Sequence, residues 1–167
     1  MLKIDMKKFN TGFTLIELLV VIAILGILVM IGLNNFVSSQ RRSRDMRRKS
    51  DLRSISVALE TYYADNNAYP TNTADGKING CSGACTWGNQ WKVSITIYMQ
   101  KLSSDPISGH NYYYQADTTA SHKWYQLYAY LENPQDPDIS STVVSKGLDC
   151  GGSTICNYGI ASQNTTP

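Results

Sequence analysis

The sequence predicts an α+β fold, in which one long N-terminal helix packs on a small C-terminal antiparallel β-sheet domain. Three patterns predict it. Residues 15–33 form a nineteen-residue apolar run with a single charge, Glu17. Apolar side chains then recur every three or four residues from Leu52 to Tyr62, as on an amphipathic helix. Residues 124–131 alternate between apolar and polar side chains, as in a strand with one buried face.

The apolar run is long enough to cross a membrane. At about 1.5 Å per residue it reaches roughly the 30 Å of a bilayer's hydrocarbon core. A core helix of a soluble protein usually keeps a polar stripe, and a secretory signal peptide has a shorter apolar region followed by a small-residue cleavage site. The sequence has neither pattern. We therefore expect residues 13–36 to form a transmembrane helix that stays in the mature protein.

Beyond the membrane we expect an amphipathic continuation of the helix over residues 37–66. Its apolar stripe consists of Leu52, Ile55, Leu59 and Tyr62. Two asparagines and Pro70 then end the helix. The remaining residues, 67–167, are predicted to form a β-rich globular domain that lies on this stripe. Within it, residues 112–114 indicate a strand before the one at 124–131, whereas residues 92–102 fit either a strand or a short helix.

Glu17 is the anomaly of the apolar run. A carboxylate placed one turn inside a hydrophobic helix costs about 2.5 to 3.5 kcal/mol on membrane-insertion scales. One explanation is that its side chain reaches water at the membrane interface. The other, which we favour, is that it meets a cation supplied by another chain.

The residues around Glu17 resemble the prepilin cleavage and methylation motif of type IV pilins and type II secretion pseudopilins. That motif is a short basic leader, a Gly, a Phe, a Glu four residues further on and an apolar run, as in GFTLIELLVV at residues 12–21. The resemblance implies a leader of residues 1–12, cleavage by a prepilin peptidase between Gly12 and Phe13, and N-methylation of the Phe13 amine. It also implies that Glu17 neutralises this amine on a neighbouring subunit. An α-amino group, with a pKa near 8, is cationic at neutral pH and suits that role.

The resemblance also implies a location and partners. The chain would sit in the cytoplasmic (inner) membrane as a single-pass protein with its C-terminal domain outside. An assembly platform protein and an ATPase complex would then help it polymerise into a pilus or pseudopilus, extracellular or periplasmic, with residues 13–36 in the filament core. Three basic residues precede the apolar run and seven follow it, which by the positive-inside rule would keep the domain in the cytoplasm. We give precedence to the outward orientation, because the resemblance implies it and four cysteines suit an oxidising compartment.

Beyond the apolar run, six clustered basic residues form what we call the basic collar: Arg41, Arg42, Arg44, Arg47, Arg48 and Lys49. We expect it to be a solvated or subunit-pairing face. Residues from Glu60 onward carry a net charge of −4, so one chain's collar is expected to face another chain's acidic domain. Membrane lipid headgroups and nucleic-acid phosphates are the alternatives. Nucleic acid is less favoured, because no aromatic residue is interleaved for base stacking.

Weaker motifs extend the resemblance to G-type pseudopilins as far as about residue 133. They are NAYP at residues 67–70, LSSDP at residues 102–106 and the three tyrosines at 112–114. That subfamily often holds a calcium ion in the loop beyond the second strand, which corresponds here to residues 132–138. Asp136 and Asp138 offer oxygen donors there, but two prolines depart from the family's Gly-rich loop. Because calcium favours six to eight oxygens, we expect an ordinary acidic turn and no cofactor, with calcium as the alternative.

The four cysteines permit three pairings. The spacings within Cys81–Cys85 and Cys150–Cys156 differ from the C-x-x-C of a redox site, and the Gly and Ser between them suit short disulfide loops. We favour disulfides within each of these two pairs. Crossed pairings and a metal site are the alternatives.

Catalysis is not expected. His110 and His122, the only histidines, are expected to be exposed structural residues, and the sequence has no nucleophile motif or Gly-rich phosphate loop. The favoured function is a structural subunit of a type IV pilus or a secretion pseudopilus, serving protein secretion, adhesion, motility or DNA uptake. The rival is a monomeric membrane-anchored surface module that binds DNA or acts as an adhesin through Trp87, Trp91 and the tyrosines.

Overall fold

The computed structural model describes residues 12–119 and 121–167, and at positions 31–35 it describes the backbone alone. Apart from Gly12, the predicted leader lies outside the described residues. The chain divides into two compact units, Met1–Ser39 and Gln40–Pro167. The segment boundaries predicted after residues 12, 36 and 66 stay predictions.

The first element, α1, spans Leu15–Asn66, in agreement with the predicted helix. Asn67 ends it by adopting a left-handed φ of 54°, and its N–H donates to the carbonyl of Tyr63 at 2.7 Å. Asparagine is one of the few residues that tolerates this helix stop. Leaving aside residues 1–11, residue 120 and the side chains at 31–35, the chain contains no helix long and apolar enough to cross a membrane.

Short strands follow α1, and the described residues of the second unit form three antiparallel sheets. The first sheet pairs β1 (Thr71–Asn72) with β2 (Ile78–Asn79), and the second pairs β3 (Trp91–Val93) with β4 (Thr96–Met99). The third has three strands in the order β5 (Tyr113–Ala116), β6 (Tyr125–Ala129) and β7 (Tyr158–Ala161). The region that fitted either a strand or a helix therefore contains a hairpin. The predicted α+β class is confirmed.

The predicted stripe of α1 lies in the core of the second unit. Leu52, Ile55 and Leu59 are fully buried, and each is expected to contribute about 1.5 to 3 kcal/mol of burial free energy. Tyr62 is half-buried and stacks on the buried Trp91 with ring centroids 5.8 Å apart. The helix therefore supplies one side of a core whose other side is largely aromatic.

Strand β6 has both of its faces covered. All five of its residues are buried, including Gln126 and Tyr128, which alternate with the face toward α1. Tyr128 packs with Val143 of the short helix α2 (Ser141–Ser145) and with Cys150 and Cys156. The sequence pattern predicted one apolar face. It did not reveal the second layer, because that layer comes from a loop segment without periodicity.

Candidate functional site

The first candidate site is the N-terminal end of α1, where Thr14 and Glu17 form a capping box. The Thr14 hydroxyl accepts the Glu17 N–H at 3.4 Å, and the Glu17 carboxylate accepts the Thr14 N–H at 2.8 Å and its hydroxyl at 2.6 Å. This reciprocal arrangement satisfies backbone donors that the first helical turn leaves free. The role predicted for Glu17 lies between subunits, and the cap formed by Thr14 was not predicted, although T-x-x-E before an apolar run is the signal for it.

Gly12 and Phe13 lie just before the capping box, and both are exposed. A Cβ atom added at Gly12 would meet nothing within 4 Å, and the Phe13 side chain is 83% exposed. The predicted cleavage position is therefore at the surface of the isolated chain. Cleavage and methylation themselves stay predictions.

The helix surface next to this site is apolar on every side. The fourteen large apolar residues between Phe13 and Met30 are each 47 to 83% exposed. Contiguous exposed apolar surface of this size marks an interaction site with lipid or protein, since soluble monomers rarely leave it in water. The end of this surface carries the Glu17 carboxylate.

The second candidate site is the basic collar, and its centre is the fully buried Arg48. The Arg48 guanidinium donates to both oxygens of Asp105, at 2.7 and 3.0 Å. Its remaining terminal nitrogen donates to Asp45 at 2.8 Å and to Glu132 at 2.7 Å. One buried cation is thus shared by three carboxylates of its own chain.

Arg44 and Asp45 extend this network. Arg44 donates two hydrogen bonds to the Glu132 carboxylate, at 2.7 and 2.6 Å. The Asp45 carboxylate accepts the backbone N–H groups of Glu132 and Asn133, both at 2.9 Å. Hydrogen bonding from Arg44 lowers the pKa of Glu132 to about 2, in spite of its burial. For Arg48, burial lowers the pKa, but hydrogen bonds to Asp105 and Glu132 outweigh burial, so the pKa lies above its usual range.

Lys49 holds the next part of the same loop. Its amine lies 2.7 Å from Asp136 Oδ1 and 2.7 Å from Asp138 Oδ2, and 5.6 Å from the centre of the Tyr158 ring. Burial favours the neutral amine, but the hydrogen bonds to the two carboxylates outweigh it and raise the pKa of Lys49. Asp136 and Asp138, the donors named for the alternative with calcium, are therefore bound to a lysine.

The structure corrects the prediction that the basic collar is one solvated or subunit-pairing face. Arg44, Arg48 and Lys49 bind acidic residues of their own chain, because α1 turns them toward the domain that carries the net negative charge. Arg41, Arg42 and Arg47 are exposed. The alternatives that involve other subunits, lipid headgroups or nucleic acid therefore apply to these three alone.

The cysteines form the two favoured disulfides, Cys81–Cys85 and Cys150–Cys156, so this prediction is confirmed. Crossed pairings and a metal site at the cysteines are wrong. The second disulfide lies in the core beside Tyr128. It fixes the segment that covers the outer face of β6.

The aromatic residues named for the rival binding module are mostly internal. Trp91 is fully buried, and Trp87 is half-buried with its ring edge-on to Tyr112 at 5.8 Å. His110 and His122 are half-buried, not exposed as expected, and His122 Nδ1 lies 2.6 Å from the Asp117 carbonyl oxygen. These aromatic side chains therefore pack within the domain.

Comparison with known proteins gives two family matches. A model described as the prokaryotic N-terminal methylation motif matches residues 7–33, and one described as type II secretion system (T2SS), protein G matches residues 35–137. No solved structure matches.

Individual relatives agree with these models. The chain is 35% identical over 150 residues to a type II secretion system core protein G of Dickeya chrysanthemi, covering 88% of this chain and 95% of the relative. It is 40% identical over 65 residues to a protein of the same name in Aeromonas hydrophila, covering 39% and 46%. It is 40% identical over 60 residues to the type IV major pilin protein PilA of Myxococcus xanthus, covering 36% and 27%. The chain thus spans between a quarter and a half of the last two proteins.

Proposed function

The chain belongs to the protein G family of type II secretion systems, and from this premise we propose that it polymerises through its N-terminal helix into a filament. The observation that carries the proposal is the apolar surface from Phe13 to Met30, exposed on every side and ending in a carboxylate. Before assembly, lipid covers this surface in the cytoplasmic membrane. In the filament, the same surfaces of neighbouring subunits cover each other.

Glu17 guides the packing of these helices. In the isolated chain its carboxylate caps its own helix through Thr14. Cleavage after Gly12 would create a cationic amine at Phe13, and a neighbouring subunit's Glu17 would be its counterion in an apolar surrounding. An unpaired charge there costs about 3 to 5 kcal/mol, so the pairing selects one axial register between helices.

Processing and assembly of the subunit are part of the same proposal. A prepilin peptidase removes residues 1–12 and the Phe13 amine is methylated. An assembly platform protein and its ATPase complex then move the subunit from the membrane into the filament, with the domain of residues 67–167 outside. The role is structural, not enzymatic. We favour a secretion pseudopilus over an adhesion or motility pilus, because the protein G similarity covers most of the chain whereas the pilin similarity covers about a third.

Two substitutions separate the pairing role of Glu17 from its capping role. Glu17→Gln removes the charge but keeps a side chain that completes a capping box, whereas Thr14→Ala removes the cap and keeps the charge. We expect Glu17→Gln to insert into the membrane normally and to abolish filaments and secretion. Thr14→Ala is expected to cost about 1 kcal/mol of helix stability and to retain filaments.

The measurements are membrane fractionation, electron microscopy of sheared filaments and the amount of protein secreted. Normal filaments from Glu17→Gln would contradict the charge pairing. If Thr14→Ala lost filaments while Glu17→Gln kept them, capping and not pairing would be the role of this site.

A further inference from the structure

The resemblance to G-type pseudopilins implies a calcium ion in the loop of residues 132–138. The structure shows whether the residues of this loop could bind it. The donors expected to converge on the ion are the carboxylates of Asp136 and Asp138. In the structure they converge on the Lys49 amine, 2.7 Å from one oxygen of each. Asp136 Oδ1 also accepts the N–H of Asp138 at 3.0 Å. The position between the two carboxylates is thus taken by a side-chain cation from α1.

The remaining donors of the loop do not complete a calcium site either. Glu132, the other carboxylate of the loop, is bound by Arg44 and Arg48. Within residues 12–119 and 121–167, no group of three or more His, Cys, Asp or Glu side chains is placed to hold a metal ion. Calcium needs six to eight oxygens at 2.3 to 2.6 Å, and an ammonium group on the same oxygens repels it. The residues present therefore do not fit the ion.

We propose that Lys49 is a built-in counterion that fastens the 132–138 loop to α1 and makes the fold independent of calcium. The geometry suits this role, because the Lys49 amine lies 2.7 Å from Asp136 and the two side chains are only 9% and 13% exposed. Asp138 is half-exposed and adds a second, weaker hydrogen bond. Arg44 and Arg48 fasten the start of the loop in the same way.

This inference concerns folding and goes beyond the proposed function, so it is tested without filaments. The purified full chain in detergent is unfolded thermally in excess EDTA and in millimolar Ca²⁺. Suppose that the folded chain bound one Ca²⁺ and that free Ca²⁺ were a hundredfold above the dissociation constant. Binding would then raise Tm by about 5 to 10 °C. We expect the Tm of the wild-type chain to be the same in both buffers. A rise of that size would overturn the proposal.

The variant Lys49→Gln tests the counterion directly. It keeps a polar side chain that is one atom shorter, and it leaves Asp136 and Asp138 without their cation. We expect its Tm in EDTA to fall by about 5 °C or more, whereas the exposed control Lys101→Gln leaves Tm unchanged and Lys49→Arg retains most of the stability. Equal Tm values for Lys49→Gln and Lys101→Gln would refute the role of Lys49. If Lys49→Gln fails to fold, the wild-type calcium comparison still decides whether the fold depends on calcium.

Discussion

The two parts of α1 differ in where their side chains find partners, although both are helical. Between Phe13 and Met30 the large apolar side chains are exposed. The side chains of Thr14 and Glu17 find partners within the chain, because each accepts the backbone N–H of the other. Between Arg44 and Leu59 the inward side chains are buried against the domain or paired with its carboxylates. The first part depends on partners outside the chain and the second on its own domain. Substitutions in the first part are therefore expected to affect assembly, and substitutions in the second to affect folding.

The largest effect on folding is expected at Arg48. Arg48→Ala leaves the buried carboxylates of Asp45 and Asp105 and the partly buried one of Glu132 without their shared cation, which costs about 3 to 5 kcal/mol. Tm is expected to fall by about 10 °C. The matched control is Arg47→Ala, because Arg47 is exposed and lies 3.9 Å from Asp51, so its loss costs less than about 1 kcal/mol.

Denaturant unfolding of both arginine variants measures this difference. Tryptophan fluorescence reports on the second unit alone, since all three tryptophans lie beyond residue 86. Equal unfolding midpoints for the two variants would mean that the buried network around Arg48 does not hold the fold together.

A smaller effect, dependent on pH, is expected at Glu132. Its pKa is lowered from 4.5 to about 2 in the folded chain, so the folded state favours the ionised carboxylate. Its contribution is fully present above about pH 4.5 and is lost as the pH falls toward about 2. At neutral pH it amounts to at most about 3 kcal/mol.

The pH prediction is checked by comparing the wild-type chain with Glu132→Gln across this range. The free energies of unfolding should differ at neutral pH and converge as the pH approaches about 2. A constant difference between pH 7 and 2 would contradict the role of the ionised carboxylate.

Far-ultraviolet circular dichroism should retain the helical signal of residues 15–30 in detergent, because that part contains no carboxylate except Glu17.

The parts of the fold that local patterns control were predictable from the sequence. The stripe at Leu52, Ile55 and Leu59 follows helical spacing, and the helix stop follows from residues that favour left-handed or non-helical backbone at Asn67 and Pro70. The two disulfides followed from short spacing. In each case, residues close together in the sequence determine the geometry.

The ion-pair network was not predictable in the same way. A dense basic segment looks the same in sequence whether it faces water or its own domain, and the partners of Arg48 lie 3, 57 and 84 residues away. The rival hypothesis placed Trp91 in a binding surface, because aromatic content alone does not separate a surface from a core. The Thr14 cap, in contrast, could be predicted, because T-x-x-E before an apolar run is a local signal.

The central claim is that the Phe13–Glu17 end of the helix is built for contact with a neighbouring subunit. Electron cryomicroscopy of sheared filaments, with mass spectrometry of their protein, tests it most directly. We predict chains that begin at methylated Phe13, with this amine about 3 Å from the Glu17 carboxylate of the next subunit. Filaments whose chains retain residues 1–12, or whose Glu17 contacts only its own Thr14, would contradict the claim.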